Sequence, residues 1–261
     1  MAFDTHAHYY DDKFSPDREE CLAALPAGGI GLVLVPGCTL QSSLESVALA
    51  ERYPHVYAAA GWHPEDLDTF SDEALRQTLA LCSHPKCVAV GEIGLDYYWD
   101  KEHRAQQLAL LDTQLAFALK NDIPVIFHDR DAHEDSLNAV SAFPGLRGVF
   151  HCFSGSAEMA KILLKDGWYL GFDGPVTYKN NRRAAEVLAV TPLDRILLET
   201  DSPYLPPVPF RGQRNDSSYL PYIAAKVAEL KGVSTEEMLA LAEETAAVSS
   251  ASSETLACAP S

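Results

Sequence analysis

Eight short runs rich in β-forming residues, separated by segments with helical spacing, constrain the fold of this chain more than any other feature. The runs are Ala2 to Thr5, Ile30 to Val35, Val56 to Gly61, Val88 to Gly91, Ile123 to Phe127, Gly148 to Phe150, Trp168 to Phe172 and Arg195 to Leu198. Between them, Leu108, Leu111, Leu115 and Leu119 share one face of a predicted helix that ends before Asn121-Asp122. Ser71 ahead of Asp72 and Glu73 reads as an N-cap with acids in the first turn, and Ser234 with Glu237 as a capping box. Strands alternating with helices pair in parallel through right-handed crossovers, and eight such units close into a (β/α)8 TIM-type barrel. An open doubly wound sheet is the alternative. The strand count favours the barrel, as does the lack of a Gly-x-Gly-x-x-Gly loop after the first run.

At 261 residues, 47% of them hydrophobic, the chain can bury one large α/β core. Residues 1–248 are expected to form the barrel. Residues 249–261, rich in Ser and Ala and without periodicity, read as a disordered tail. The stretch from Asp201 to Pro209 holds too many prolines for a helix or central strand and reads as a stiff loop after the last strand.

Mapping histidines and acids onto the runs gives the main functional signal. His6 and His8 end the first run, His63 follows the third, Glu92 ends the fourth, His128 the fifth, His151 the sixth and Asp201 the eighth. In a parallel barrel those ends converge on one rim, the C-terminal face on which barrel active sites are built. His6-x-His8 has strand spacing, so both imidazoles can point to one side and chelate one ion. Four histidines and two carboxylates exceed what one catalytic zinc needs with an open position. A two-metal cluster bridged by a carboxylate is the economical reading.

The formal net charge of -17 argues against a broad basic surface for duplex DNA. A nucleic-acid substrate must be gripped locally, where bound divalent cations can reverse the potential inside a cleft. The six cysteines (Cys21, Cys38, Cys82, Cys87, Cys152 and Cys258) are scattered without a Cys-x-x-Cys pair and read as small buried residues in a reducing compartment. The sequence opens without a basic flank and apolar core, and no later run could span a bilayer. The expectation is a cytoplasmic protein with no membrane association and no obligate protein partner.

Six blocks then carry a resemblance: Phe3-Asp4-Thr5-His6-Ala7-His8, Gly61-Trp62-His63-Pro64, Gly91-Glu92-Ile93-Gly94-Leu95-Asp96-Tyr97-Tyr98, Pro124-Val125-Ile126-Phe127-His128, His151-Cys152-Phe153-Ser154-Gly155-Ser156 and Glu199-Thr200-Asp201-Ser202-Pro203-Tyr204-Leu205. In this order, over residues 3 to about 240, the chain resembles the TatD family of metal-dependent DNases, related to the amidohydrolases. The resemblance implies a TIM-barrel hydrolase using one or two divalent ions (Zn²⁺, Mg²⁺ or Mn²⁺), with 3′ to 5′ exonuclease action on DNA. Matched residue by residue, it implies that His6, His8 and Asp201 hold one ion, that His128 and His151 hold the other, and that Glu92 bridges them. The chemistry agrees, since an ion pair lowers the pKa of a shared water and neutralises charge developing on phosphate oxygens. Asp201 is the candidate general base as well as a ligand, because a carboxylate has an oxygen for each task. With basic residues few, single-stranded DNA ends are the expected partner.

Candidate substrate contacts are His63, set in extended approach by Pro64, and Arg130, which offers a phosphate a forked donor or else pairs with Asp129 or Asp131. Lys179, Arg211 and Arg214 are further phosphate candidates, and Tyr204 can stack on a base. Asp96 reads as orienting the Glu92 loop. The chain departs from the family pattern in its last helix, which lacks the usual Asn and Phe and leaves its packing open. One rival reading is amide or ester hydrolysis of the amidohydrolase type, including ester cleavage on a tRNA end. Those enzymes commonly bridge their metals with a carbamylated Lys where this chain has Glu92, and the next Lys after it is Lys101. A non-catalytic, metal-stabilised binding protein is the other rival, and its metal sites would be coordinatively closed.

Overall fold

In the computed structural model, residues 1–249 are described, the last three by backbone alone. All eight expected strands form: β1 (Ala2–Asp4), β2 (Ile30–Pro36), β3 (Val56–Ala60), β4 (Cys87–Asp96), β5 (Val125–Arg130), β6 (Gly148–Phe150), β7 (Tyr169–Phe172) and β8 (Ile196–Leu198). They pair in parallel in chain order. Between β8 and β1 the sheet is joined by the Thr5 N–H donating to the Leu198 carbonyl (3.2 Å) and the Asp201 N–H to the His6 carbonyl (2.9 Å). A parallel bridge between Ala7 and Ser202 completes the (β/α)8 barrel. The helices are α1 (Arg18–Ala24), α2 (Leu40–Arg52), α3 (Asp72–Ala80), α4 (Arg104–Asn121), α5 (His133–Ser141), α6 (Ala157–Lys165), α7 (Arg182–Val190), α8 (Leu220–Lys231) and α9 (Thr235–Ser249).

The strands are buried on both faces, which is why they read as continuous apolar runs. One residue from each strand (Phe3, Leu34, Ala59, Ala89, Ile126, Val149, Tyr169 and Leu197) belongs to an inner apolar plug, joined by Ala246 of α9. Their sequence neighbours, among them Val33, Val90, Phe127, Phe150 and Leu198, pack outward under the helices, as period-two geometry requires. Ile126 is 2% exposed, so truncating it to Ala should cost about 2–5 kcal/mol. The plug fills the barrel below the rim and leaves the polar chemistry to the strands' C-terminal ends.

Two strands run further than the sequence indicates. Glu92 and His128 were expected at strand ends, yet β4 continues to Asp96 and β5 to Arg130. Their register shifts between Val90 and Ile93, then resumes from Ile93–Phe127 to Asp96–Arg130. Glu92 therefore sits at an irregularity inside β4. Gly94 permits the continuation: its φ is 153°, and a Cβ there would lie 1.9 Å from the His128 carbonyl oxygen.

Helix α4 ends where expected, but its buried face is rotated from the predicted leucine stripe. Gln107 and Gln114 are buried with Leu111 and Leu115, whereas Leu119 is 39% exposed. Each glutamine satisfies rim backbone. Gln107 accepts from the Asp96 N–H (2.9 Å) and donates to the Asp96 carbonyl (3.0 Å), and Gln114 does the same at Trp62 (2.8 and 3.0 Å). Ser71 caps α3 as expected, and the Ser234 hydroxyl accepts from the Glu237 N–H (3.1 Å) at the start of α9. That last helix buries Met238, Ala242 and Ala246, so a methionine and two alanines seat it where the family's usual Asn and Phe are missing. The expected tail at 249–261 lies outside the described residues, apart from the Ser249 backbone that ends α9. Among the described residues no helix is long and apolar enough to cross a membrane.

Candidate metal centre

His6 and His8 flank the Ala7 bridge and so point the same way, with their Nε2 atoms 3.1 Å apart. Asp201 reaches them from beyond β8: its Oδ1 is 3.3 Å from His8 Nε2 and 3.8 Å from His6 Nε2. Glu92 faces both, its Oε2 lying 3.3 Å from His6 Nε2 and 3.6 Å from His8 Nε2. The other Glu92 oxygen, Oε1, is 2.9 Å from His128 Nδ1 and 2.8 Å from His151 Nε2, and those two nitrogens are 3.2 Å apart. Thus the six residues expected as ligands converge as two donor sets that share one carboxylate.

His63 comes closer than expected. Its Nε2 is 3.4 Å from Glu92 Oε1, and it groups with Glu65 and His128 within metal-ligating distance. Tetrahedral bonds of about 2.0–2.2 Å give ligand–ligand separations slightly above 3 Å, so the spacing of both donor sets fits a divalent ion.

Burial alone would raise the Glu92 carboxyl, but the imidazoles of His151, His63 and His6 and the hydrogen bond from His128 hold it well below the usual carboxylate range. Burial opposes charge on His128, yet Asp96 and Glu92 push it up to about 9. His151 lies well above its ordinary value for the same reason, with Glu92 and Glu199 outweighing burial. His6 is lowered by burial and by the neighbouring His151. Burial raises the Asp201 carboxyl, but His8 more than offsets it and keeps Asp201 ionised.

Behind these donors stand residues whose roles the sequence did not reveal. Asp96 accepts from His128 Nε2 (3.0 Å) and, through its other oxygen, from the Tyr98 and Trp99 N–H groups (2.9 Å each). It therefore orients His128, where the sequence suggested the Glu92 loop. Burial works against its charge, but His128 holds it down at about 2. Burial and the facing Asp96 push Glu65 up to about 7. Glu199, fully buried, accepts from the Cys152 N–H and has Oε1 3.7 Å from His151 Nδ1. On the other side, His8 Nδ1 meets the Tyr10 hydroxyl at 2.9 Å, which in turn donates to Cys38 Sγ (3.2 Å). Asp4 accepts from the Thr200 N–H (3.0 Å) and from the Thr200 and Ser217 hydroxyls (2.6 Å each), sewing β1 to the Asp201 segment. An acid two residues before His6, inside the Phe3-to-His8 block, is the signal that could have found it.

Two cavities of about 710 and 700 Å³ open on the centre, and His128, Arg130, His151, Asp201 and Leu205 line both. Arg130 pairs with neither Asp129 nor Asp131. Its guanidinium lies 4.1 Å from the Tyr98 ring centroid, while Asp129 holds His133 at 2.8 Å. Tyr204 lines the second cavity, with its hydroxyl donating to Asp11 (2.5 Å) and Lys13 over its ring at 4.0 Å. The other three phosphate candidates are not brought to the cleft. Arg214 clamps Asp17 (2.8 Å) and the Lys13 carbonyl (3.0 Å), Arg211 stacks on Tyr178 (4.0 Å), and Lys179 is exposed outside both cavities. In their place the first cavity presents Arg182 and Arg183 with Asn180 and Asn181.

Comparison with known proteins agrees with this geometry. The family described as "TatD related DNase" matches residues 3–248. A relative from Bacillus subtilis, named uncharacterized metal-dependent hydrolase YabD, is 40% identical over 248 residues, covering 94% of this chain and 97% of its own. A protein from Cronobacter turicensis named 3′-5′ ssDNA/RNA exonuclease TatD is 37% identical, covering 87% of this chain and 89% of its own. The crystal structure of YjjV, a TatD homologue from Escherichia coli K12, superposes with a TM-score of 0.88 at 35% identity, covering 94% of this chain and 95% of that one.

Proposed function

The chain belongs to the TatD-related DNase family and is a metal-dependent hydrolase, and from that premise we propose that it is a 3′ to 5′ exonuclease acting on single-stranded DNA ends. The observation that carries the reading is the pair of donor sets sharing Glu92. In it one Glu92 oxygen faces each set, so that His6, His8 and Asp201 would hold one divalent ion and His128 and His151 the other. When bound there, divalent ions supply a water of lowered pKa and neutralise charge developing on the phosphate oxygens.

The chain's own residues do the rest. Asp201, ionised and lining both cavities, accepts the proton of the attacking water. Arg130 stands between the cavities, held by the Tyr98 and Trp99 faces, and offers its donors to the scissile phosphate. Trp99 and Tyr204, 62% and 42% exposed, give bases a surface to stack on at the mouth, which supports the single-stranded preference. His63 contacts the phosphate or completes the second donor set. The five described cysteines are unpaired, consistent with a cytoplasmic site of action.

The test is a 5′-labelled single-stranded oligonucleotide, a matched duplex and an RNA, each incubated with Zn²⁺, Mg²⁺ or Mn²⁺. The reading expects a metal-dependent ladder shortening from the 3′ end, fastest on the single strand, and abolished by EDTA without unfolding. Cleavage of a small amide or ester but of no oligonucleotide would replace it with the amidohydrolase-type alternative.

A further inference from the structure

The two cavities meeting at the metal centre differ in charge. Beyond the residues they share, the second is lined by Asp11, Glu65 and Asp66 and by no Lys or Arg. The first brings Arg182, Arg183, Asn180 and Asn181. Its acids are largely answered: Asp129 holds His133 at 2.8 Å, burial pushes the Asp173 carboxyl well above its ordinary range, and Glu186 is exposed on the turn after Arg182. Arg182 makes no hydrogen bond or ion pair with another described residue, and Arg183 spends one nitrogen on the Ser154 carbonyl (3.0 Å), so both have donors to give.

A strand threaded through the centre cannot use these cavities interchangeably. On the 5′ side of the scissile phosphate every further nucleotide brings another phosphate. On the 3′ side of the last scissile phosphate stands one nucleoside, ending in a hydroxyl. Phosphates belong with Arg182 and Arg183, whereas a phosphate among Asp11, Glu65 and Asp66 would meet carboxyl groups and no Lys or Arg beyond the Arg130 that both cavities share. The acidic cavity is large enough for a nucleoside, and Trp99 lines it as a stacking surface.

Resting on the exonuclease reading above, we propose that the acidic cavity seats the 3′-terminal nucleoside and rejects a phosphate there, so that charge in the cleft sets both the direction of digestion and the requirement for a free 3′-hydroxyl. Trp99 stacks the terminal base, Glu65 and Asp66 face the 3′ end, and Arg182 and Arg183 hold the phosphates of the remaining strand.

The experiment compares one 5′-labelled oligodeoxynucleotide ending in a 3′-hydroxyl with the same strand ending in a 3′-phosphate, in the wild type and in Glu65→Gln, Asp66→Asn and the double variant. The wild type should prefer the hydroxyl end by about tenfold or more, and the ratio should fall towards one in the double variant. Arg182→Ala with Arg183→Ala should raise KM for long strands and leave the ratio unchanged. A binding readout is independent of turnover. Trp62 and Trp168 are 2% exposed, so quenching of chelator-treated protein by deoxyadenosine reports Trp99. Deoxyadenosine should quench and deoxyadenosine 3′-monophosphate should quench far less, with both signals lost in Trp99→Phe. Equal ladders on both ends, a ratio that survives the double variant, or equal quenching overturns the assignment while leaving the exonuclease reading intact. No ladder on either strand with any metal removes that reading and this one with it.

Discussion

The two halves of the candidate metal centre draw on similar side chains and are supported differently. His6, His8 and Asp201 come from the seam between β1 and β8, locked by the Asp4 network, with a tyrosine hydroxyl behind His8; His6 Nδ1, like His151 Nδ1, makes no hydrogen bond among the described residues. His128 is hydrogen-bonded to Asp96 at 3.0 Å, and His151 has the Glu199 carboxylate at an ion-pair distance of 3.7 Å. A carboxylate behind an imidazole fixes its orientation and raises its basicity. The first half is therefore held by backbone and the second by charge, and the second should bind its ion more tightly.

Removing the shared element should have the largest effect. Glu92→Gln should weaken both ions and lower kcat by more than about 100-fold, beyond the upper range for losing a residue behind a ligand. Asp201→Asn strikes the first half alone: it keeps an oxygen for coordination and loses basicity. Single-turnover cleavage at saturating metal should fall about 10²-fold, with the acidic limb of the rate profile lost and metal still bound by elemental analysis. Near wild-type rates with metal retained would sink the base role.

Asp96→Asn and Glu199→Gln sharpen the contrast. Each should weaken the tighter ion by about 10–100-fold in a metal titration, whereas Tyr10→Phe should move the weaker one only a few-fold. Equal effects on both halves would erase the distinction.

The charge behind the second half also predicts a pH dependence once metal is stripped by chelation. His128 has its folded pKa raised from 6.5 to about 9, so its pairing with Asp96 and Glu92 stabilises the fold fully below pH 6.5 and is lost as pH rises through 9. The urea midpoint of stripped protein should drop across that window, and less so in His128→Ala. The smallest effect is on salt: with two or three phosphate contacts on a single strand, log affinity against log salt should have a slope near −0.7 per contact, about −1.4 to −2.1.

The barrel and the donors were legible because both follow local rules. Strand runs announce themselves by composition, and His6-x-His8 by spacing. What was hidden depends on contacts between distant segments. The fourth run was read as ending at Gly91, yet β4 continues to Asp96, and Gly94 is what lets β5 pass close by. The predicted leucine stripe of α4 gave no sign of Gln107 and Gln114, which hold the rim backbone. Arg214 read as a phosphate ligand, but its partner Asp17 lies 197 residues away. Arg182 and Arg183 carried no motif at all and enter the cleft only because the first turn of α7 lines its first cavity.

Calorimetric metal titration of the wild type, Glu92→Gln, His6→Ala and His151→Ala at fixed pH tests the shared carboxylate most directly. The account predicts two sites of unequal affinity in the wild type, the weaker lost in His6→Ala, the tighter lost in His151→Ala, and both weakened in Glu92→Gln. A single wild-type site, or a Glu92→Gln variant that keeps one site at full strength, would contradict it.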